Sequence, residues 1–149
     1  MINLHQHEEA QSVAREIERA CRELPSGSGV EQLRNFCGRG WEMLHTPEFA
    51  RTYRMLAAEL PTSAEARRFY GERISGPLLE VLSGIISRGL LRSEFRTEQP
   101  HVAARIILAA LIQQAFWCNH DGLNATMVCG CNRVVTDTLS LVLGGMACE

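Results

Sequence analysis

The sequence lacks an excess of basic charge. Its 149 residues include 15 that are Lys or Arg and 17 that are Asp or Glu, which gives a formal net charge of −2 at pH 7. A domain that grips the phosphate backbone of nucleic acid usually carries a clear positive excess. We therefore expect that this chain by itself does not bind DNA or RNA tightly.

A secretory signal and a long apolar run are also lacking. The N-terminus reads MINLHQHEEA, which is polar and acidic, whereas a signal peptide needs a basic start followed by an apolar stretch. No uninterrupted apolar run approaches the roughly 20 residues of a membrane-spanning helix. We expect a cytoplasmic protein with no membrane partner. Because the cytosol is reducing, free thiols are expected at its six cysteines, which are Cys21, Cys37, Cys118, Cys129, Cys131 and Cys148.

Catalytic and cofactor motifs are missing as well. The chain has no Gly-rich phosphate loop, no His-Glu-x-x-His pattern, and no Ser or Cys nucleophile with a base at a defensible spacing. These absences predict a protein that is not an enzyme and that holds no cofactor.

The C-terminal cysteines raise the question of a metal site. Cys118-x-His120 is followed by Cys129-x-Cys131, and these are ligand types that suit a soft metal. Two residues separated by one position on a helix point about 200° apart, so they do not grip one ion together. The spacing also matches no zinc signature. We predict no metal site, and a thiol- or metal-responsive sensor remains an alternative.

What the sequence does contain is helical periodicity. In the longest segment, apolar residues recur at steps of three and four: Phe69, Tyr70, Ile74, Leu78, Val81, Leu82, Ile85 and Ile86. A shorter helix precedes it, with Thr46 as the expected N-cap and Pro47 in the first turn. We predict one all-α domain over residues 1–149, with residues 1–7 frayed. Its six helices are expected at about 8–24, 29–45, 47–60, 63–91, 100–120 and 124–143.

Three local features carry further expectations. Pro77 removes a backbone hydrogen bond, so it either kinks the fourth helix or divides it in two. Gly38 and Gly40 either permit a close helix crossing, the better-supported reading, or leave room for a ligand. After Gly89, Phe95 is expected to fold back as a hydrophobic plug.

The middle of the chain resembles a known family. AELP at 58–61, RRFY at 67–70, RIxxPLL at 73–79 and RGLLRxEFR at 88–96 are followed by an Ala-rich apolar helix. In this order they are similar to the C-terminal regulatory domain of the TetR family of transcriptional regulators, over roughly residues 10–120. The family's N-terminal helix-turn-helix, which reads DNA, has no counterpart in the 149 residues.

The resemblance implies a small-molecule pocket that the bent fourth helix wraps. We predict a small, mostly apolar effector. The residues expected at the pocket, from periodicity and resemblance together, are Trp41, Tyr53, Leu56, Phe69, Arg73, Leu78 and Trp117.

A second expectation concerns the last two helices. The fifth is apolar around nearly its whole circumference, interrupted only by Arg105, and such a helix must be covered on every side. One domain of this size seldom supplies that cover, so we predict a homodimer with a four-helix bundle at its centre. The family also dimerises through its last two long helices. The expected interface residues are Ile107, Leu111, Val128, Val135, Leu139 and Val142.

Two functions from different classes follow. The first is the effector-sensing and dimerisation domain of a TetR-like repressor, with the DNA-binding head absent from this chain. DNA would then be contacted only through a missing N-terminal domain or a full-length partner, with which a stand-alone domain could form inactive mixed dimers. The alternative is a stand-alone helical interaction module that binds no ligand.

Overall fold

A computed structural model describes residues 4–118 and 133–146 of the chain. Every regular element in these ranges is helical, and the all-α prediction is confirmed. The helices are α1 (Leu4–Arg22), α2 (Gly29–Leu44), α3 (Pro47–Glu59), α4 (Ala64–Phe69), a π-helical turn (Tyr70–Ser75), α5 (Gly76–Leu91), α6 (Pro100–Cys118) and α7 (Val134–Met146).

Side-chain caps define where three of these helices begin. Ser28 accepts a hydrogen bond from the Glu31 backbone, and the Glu31 carboxylate accepts one from the Ser28 backbone, which is a complete capping box. Thr46 caps α3 through the Phe49 amide at 3.3 Å, as predicted, and Ser63 caps α4. Each hydroxyl satisfies an amide that has no partner inside its own helix.

The predicted fourth helix contains a π-helical turn just before Pro77. Proline has no N–H, so the Arg73 carbonyl loses its ordinary helical donor. A π-helical turn precedes the proline, and in it the Gly76 amide donates to the carbonyl of Gly71. Helix α5 then starts with Pro77 in its first turn. The Ser75 hydroxyl donates to the Tyr70 carbonyl at 3.3 Å. The helical segment therefore continues from Ala64 to Leu91 through this wider turn.

The core lies between α5 and α6, with α1, α2 and α3 packed around them. Leu82, Ile85 and Ile86 on α5 and Ala104 and Ile107 on α6 are fully buried. The three α5 residues form the buried face that the periodicity predicted for the long helix. The pair α5–α6 thus positions α1, α2 and α3, which line the cavities described below.

A plug closes the C-terminal end of α5. Phe95 is buried against Gly89, and a Cβ added at Gly89 would overlap the Phe95 ring. Its backbone amide donates to the Gly89 carbonyl at 3.3 Å. The adjacent Glu94 carboxylate accepts a hydrogen bond from the Gly29 amide at the start of α2. The predicted fold-back of Phe95 is confirmed, and Glu94 ties it to a second helix.

Several boundaries and local readings differ from expectation. Helix α1 begins at Leu4, before the predicted start at residue 8. The first part of the predicted helix 124–143 lies outside the described residues, and α7 continues to Met146. No described atom lies within 4 Å of a Cβ added at Gly38 or Gly40. The described helices therefore do not use these glycines for a close crossing, contrary to the favoured reading.

Two helical segments, Ala64–Leu91 and Pro100–Cys118, are long and apolar enough to cross a membrane by length and composition alone. The core helices of soluble proteins pass the same test, so this is weak evidence for insertion. Here the buried side chains of both segments form the shared core. Of the two apolar windows, 33% and 39% are buried, so packing in the core accounts for part of their apolar composition.

Candidate functional site

A small cavity lies where the C-terminal half of α6 meets α2 and α3. We call it the aromatic slot. Its volume is about 20 Å³, and its walls are Leu44, Phe49, Ala50, Tyr53, Arg54, Ile112, Ala115 and Phe116. All but Arg54 and the Tyr53 hydroxyl are apolar, so the slot favours an apolar occupant.

Tyr53 stands at the centre of an aromatic cluster at this slot. Its ring stacks on Phe49 with centroids 6.1 Å apart and planes at 11°. It meets Phe116 of α6 edge-on at 6.0 Å, and Tyr70 of the π-helical turn at 6.3 Å and 56°. These are the offset and tilted arrangements that aromatic quadrupoles favour. The cluster therefore joins α3, α6 and the π-helical turn around one side chain.

The two tyrosine hydroxyls are held in a poorly solvated environment. Burial raises the pKa of Tyr70 to about 12, and the neighbouring Tyr53 adds to the effect. Burial also raises the pKa of Tyr53. Both phenols are therefore neutral at physiological pH, and neither makes a hydrogen bond within the described part of the chain. They are available as donors or acceptors to a bound molecule.

In this structure the slot is too small for an organic ligand, and we call this its closed state. A cavity of about 20 Å³ holds no more than a water molecule, since one water needs about 10–15 Å³. Pockets for small organic ligands measure about 300–1,000 Å³. An effector would therefore have to separate the aromatic rings in order to enter.

A polar groove runs on the other side of Arg54, between α1 and α3. We call it the α1–α3 groove, and its volume is about 570 Å³. Its lining residues are His5, Gln6, Glu9, Arg51, Thr52, Arg54 and Met55. Arg51 donates two hydrogen bonds to Glu9, at 2.9 and 2.6 Å. The Arg51 guanidinium lowers the pKa of the Glu9 carboxyl, chiefly through this hydrogen bonding.

Thr52 is an unusual member of this groove. It is only 3% exposed, and its hydroxyl has no hydrogen-bond partner. A buried hydroxyl without a partner costs about 1–3 kcal/mol relative to a satisfied one. A buried and unmet polar group therefore lies on this side of α3.

The structure brings one of the seven predicted pocket residues, Tyr53, to the slot. Leu56 and Leu78 are buried in the core, and Trp41, Phe69 and Trp117 are partly buried. Arg73 is held against α1, at 3.2 Å from Glu18 and 3.4 Å from Gln11. The pocket prediction stays a prediction.

Sequence reasoning did not select Phe49 and Phe116 as walls of the slot. Phe49 and Tyr53 are four residues apart on α3, so they share one face of that helix. This spacing is a signal in the sequence that could have identified Phe49. No comparable signal exists for Phe116, because its place opposite Tyr53 depends on how α6 packs against α3.

The predicted dimer residues lie mostly inside the monomer. Ile107, Leu111 and Leu139 are buried in the core, Val135 and Val142 are partly buried, and Val128 lies outside the described residues. Other side chains of α6 and α7 are exposed instead: Val102 by 43%, Ile106 by 61% and Leu141 by 80%. With Val142 they border a surface cavity of about 560 Å³. We call these four residues the α6–α7 face.

The three cysteines in the described ranges fall into two classes. Cys37 is buried, which raises its pKa to about 12, and burial also raises the pKa of Cys21, so these two free thiols are protonated at neutral pH. Cys118 is disulfide-bonded, so the free-thiol prediction is wrong for that residue. His120, Cys129, Cys131 and Cys148 lie outside the described ranges. Within those ranges no three His, Cys, Asp or Glu side chains are grouped as metal ligands.

Comparisons with known proteins identify the type of domain. The family model of the AefR-like transcriptional repressor, C-terminal domain, matches residues 31–128. A search of curated proteins finds no match. Among solved structures, the chain resembles one described as a TetR-family transcriptional regulator from Mesorhizobium loti MAFF303099, with 18% identity and a TM-score of 0.66. The match covers 93% of this chain and 70% of the other, and at this identity it shows a shared fold.

Proposed function

Because the chain belongs to the TetR family of transcriptional regulators, through the AefR-like C-terminal domain at residues 31–128, we propose that it senses a small apolar effector and forms a homodimer. The observation that carries the proposal is the aromatic slot beside the π-helical turn. Its rings, the unbonded phenols of Tyr53 and the neighbouring Tyr70, and its closed state support a site that changes shape when occupied.

The π-helical turn gives the slot a means to respond. Such turns occur frequently at functional sites, where an extra residue in the helix shifts the backbone. Tyr70 lies in this turn and touches Tyr53 in the slot. Arg73, in the same turn, is paired with Glu18 of α1. An occupant that separates Tyr53 from Tyr70 would therefore favour a different position of the turn, and the occupied state would be populated at the expense of the closed one.

Ligand screening by thermal shift tests this part of the proposal. A ligand at 100 times its dissociation constant should raise the free energy of unfolding by about 2.7 kcal/mol. In Ala50→Leu the larger side chain occupies the slot wall, so we expect the response to disappear. Ala58→Leu adds the same group to an exposed position of α3 and should respond like the wild type.

A response that survives in Ala50→Leu would place the ligand elsewhere and contradict the slot. If a broad library of apolar compounds gives no response with the wild type, the chain is better described as an interaction module without a ligand.

The α6–α7 face supports the proposal of a homodimer. Val102 and Ile106 are four residues apart on α6, so they point the same way, and Leu141 and Val142 of α7 border the same cavity. Apolar residues exposed together usually mark an interaction surface. In a twofold dimer, the α6–α7 face of one protomer would pack against the same face of its partner. Stable dimers of this kind bury about 2,000 Å² or more.

Sedimentation at micromolar concentration tests the dimer. The wild type should sediment at twice the monomer mass of 16.6 kDa. The double variant Ile106→Glu/Leu141→Glu should sediment as a monomer, since it places charges at the centre of the face. Leu91→Glu also changes an exposed leucine, but one that lies outside the face, and should remain dimeric. A monomeric wild type would exclude the homodimer.

In this role the domain is cytoplasmic and contacts DNA only through a DNA-reading domain, attached to it or carried by a partner chain. Its own charge of −2 is consistent with that division of labour.

One observation favours a second candidate function, a thiol-responsive regulator. The disulfide-bonded Cys118 follows Phe116, a wall of the slot, by two residues at the end of α6. Reduction by a dithiol would convert the disulfide to two thiols and oxidise the dithiol. If the disulfide controls the slot, dithiothreitol should change ligand affinity in the wild type and have no effect in Cys118→Ser. Equal affinities with and without dithiothreitol would exclude this function.

A further inference from the structure

Arg54 occupies a singular position among the charged residues of α3. It lines the aromatic slot on one side and the α1–α3 groove on the other. Among the described residues that line the slot, it is the only charged one. An occupant of the slot that extends toward the groove would therefore meet the Arg54 guanidinium.

The charge of Arg54 is not neutralised by the part of the chain that the structure describes. Its Nε donates to the carbonyl of Ala50 in its own helix at 3.3 Å, and no carboxylate lies within ion-pair distance. Arg51, one turn earlier, gives the contrast, because it is paired with Glu9 at 2.6 Å. In the groove, the charges of Arg51 and Glu9 cancel and that of Arg54 remains.

The two cavities also differ in polarity. The slot supplies aromatic and aliphatic walls, whereas the groove supplies a cation and the unpartnered Thr52 hydroxyl. A guanidinium matches a carboxylate with two parallel hydrogen bonds, and such charge-assisted bonds are about twice as strong as neutral ones. The combination fits a molecule with a flat apolar body and an anionic end.

We propose that the effector is an amphiphilic organic acid, whose aromatic or aliphatic body enters the slot and whose carboxylate binds Arg54 at its rim. This inference rests on the proposed effector-sensing function and adds the chemical class of the ligand. Thr52 can donate to the same carboxylate if the head group reaches into the groove. Arg54 is then the residue that determines specificity for acids over neutral analogues.

Calorimetric titration with matched probes tests the inference. We would use 2-naphthoate and phenylacetate, each paired with its primary amide, which has nearly the same shape but no charge. The wild type should bind each acid about tenfold more tightly than its amide, as expected for hydrogen bonds to a charged group. That preference should shrink at high salt, because the rim is open to solvent.

Variants identify the residue responsible. Arg54→Gln should bind acid and amide equally, and Arg54→Lys should keep part of the preference because it keeps the charge. Arg34→Gln removes the same charge from an exposed position of α2 that lines neither cavity, and should behave as the wild type. Circular dichroism of each variant verifies that it is folded.

The outcomes separate this inference from the function on which it rests. Equal binding of acid and amide by the wild type, or an unchanged acid preference in Arg54→Gln, would overturn the inference and leave the effector site in place. Acid binding that persists in Ala50→Leu would also overturn it, because the body would then lie outside the slot. If neither probe pair binds, the inference fails, and if the apolar library also gives no thermal shift, the proposed effector sensing fails with it.

Discussion

The two ends of the long helical segment from Ala64 to Leu91 are built differently. At the C-terminal end, Phe95 fills the space above Gly89, Glu94 binds the start of α2, and Ser28 and Glu31 form a complete capping box. At the N-terminal end, a π-helical turn replaces regular helix, and the phenols of Tyr53 and Tyr70 have no hydrogen bond within the described residues. The C-terminal end is closed by a plug and by paired polar groups, whereas the N-terminal end keeps two phenols without a partner in the described residues.

This difference indicates which end is built for stability and which for a response. Closely packed interiors resist small displacements, since even one methylene group matters. Groups that lack partners are instead ready to bind a ligand, and regions with weak local stability are those that move during regulation. The four predictions below test this division, starting from the packed end.

Removal of the plug should have the largest effect. Phe95→Ala deletes a buried ring and leaves a cavity, so the free energy of unfolding should fall by about 3–5 kcal/mol. Urea denaturation at pH 7 measures the change. Leu91→Ala, at an exposed position near the same helix end, should change stability by less than about 0.5 kcal/mol. Similar losses in both variants would show that the plug has no special role.

Alkaline pH should lower the free energy of unfolding through Tyr70, at the N-terminal end of the long segment. Tyr70 loses its proton near 10.0 when unfolded and at about 12 when folded. The folded state thus holds an extra proton in this window, so stability falls as the pH rises through it. A shift of this kind corresponds to about 2–3 kcal/mol. Between about pH 10 and pH 12, the free energy of unfolding should therefore fall by about 2–3 kcal/mol less in Tyr70→Phe than in the wild type. Urea denaturation measures both values.

The comparison with Tyr70→Phe also removes a competing contribution. Cys37, with an ordinary pKa of 9.0 and a folded pKa of about 12, adds a loss of the same sign. Because Cys37 is present in both proteins, its contribution cancels in the difference. Identical alkaline losses in the two proteins would contradict the burial of the Tyr70 phenol.

A smaller effect is expected at the capping box. Ser28→Ala removes the acceptor for the Glu31 amide, at 3.1 Å, and should lower the free energy of unfolding by about 1 kcal/mol. Ser28→Asp restores an acceptor at the cap and should recover most of the loss in thermal denaturation. If aspartate were no better than alanine, the cap would not be the source of the stability.

The smallest effect should come from Thr52. Because its buried hydroxyl has no partner, Thr52→Val replaces it with a methyl group of similar shape and removes no hydrogen bond. We expect no loss of stability and a gain of up to about 1 kcal/mol, since an unsatisfied group carries a desolvation cost. A clear loss in urea denaturation would mean that the hydroxyl is satisfied in solution.

The sequence predicted best where short-range chemistry decides the structure. Thr46 caps a helix, Phe95 returns to Gly89, and Leu82, Ile85 and Ile86 share a buried face, all as expected from spacing and residue type. The π-helical turn was not predicted, because Pro77 requires only that the ordinary hydrogen bond be lost. It does not specify how the backbone adjusts.

Other differences from expectation came from long-range packing. Helix α6 is apolar on all sides, so periodicity does not reveal which side faces the core. Ile107 was assigned to the dimer and is buried, whereas its neighbour Ile106 is exposed. The slot depended on the same unknown, since Phe116 meets Tyr53 only when α6 has one particular rotation against α3. Unlike a cap or a stripe, that rotation is set by the whole core.

The π-helical turn makes the position of Tyr70 depend on a count of residues. A π-turn contains one residue more than the α-helical path it replaces, and each residue of an α-helix advances the chain by about 100° around the axis. Deleting Gly71 would remove that extra residue from the turn ahead of Pro77. Tyr70 would then be rotated by about that angle relative to Leu78 and Leu82 and would leave Tyr53. A single inserted residue is thus sufficient to bring a second phenol against Tyr53.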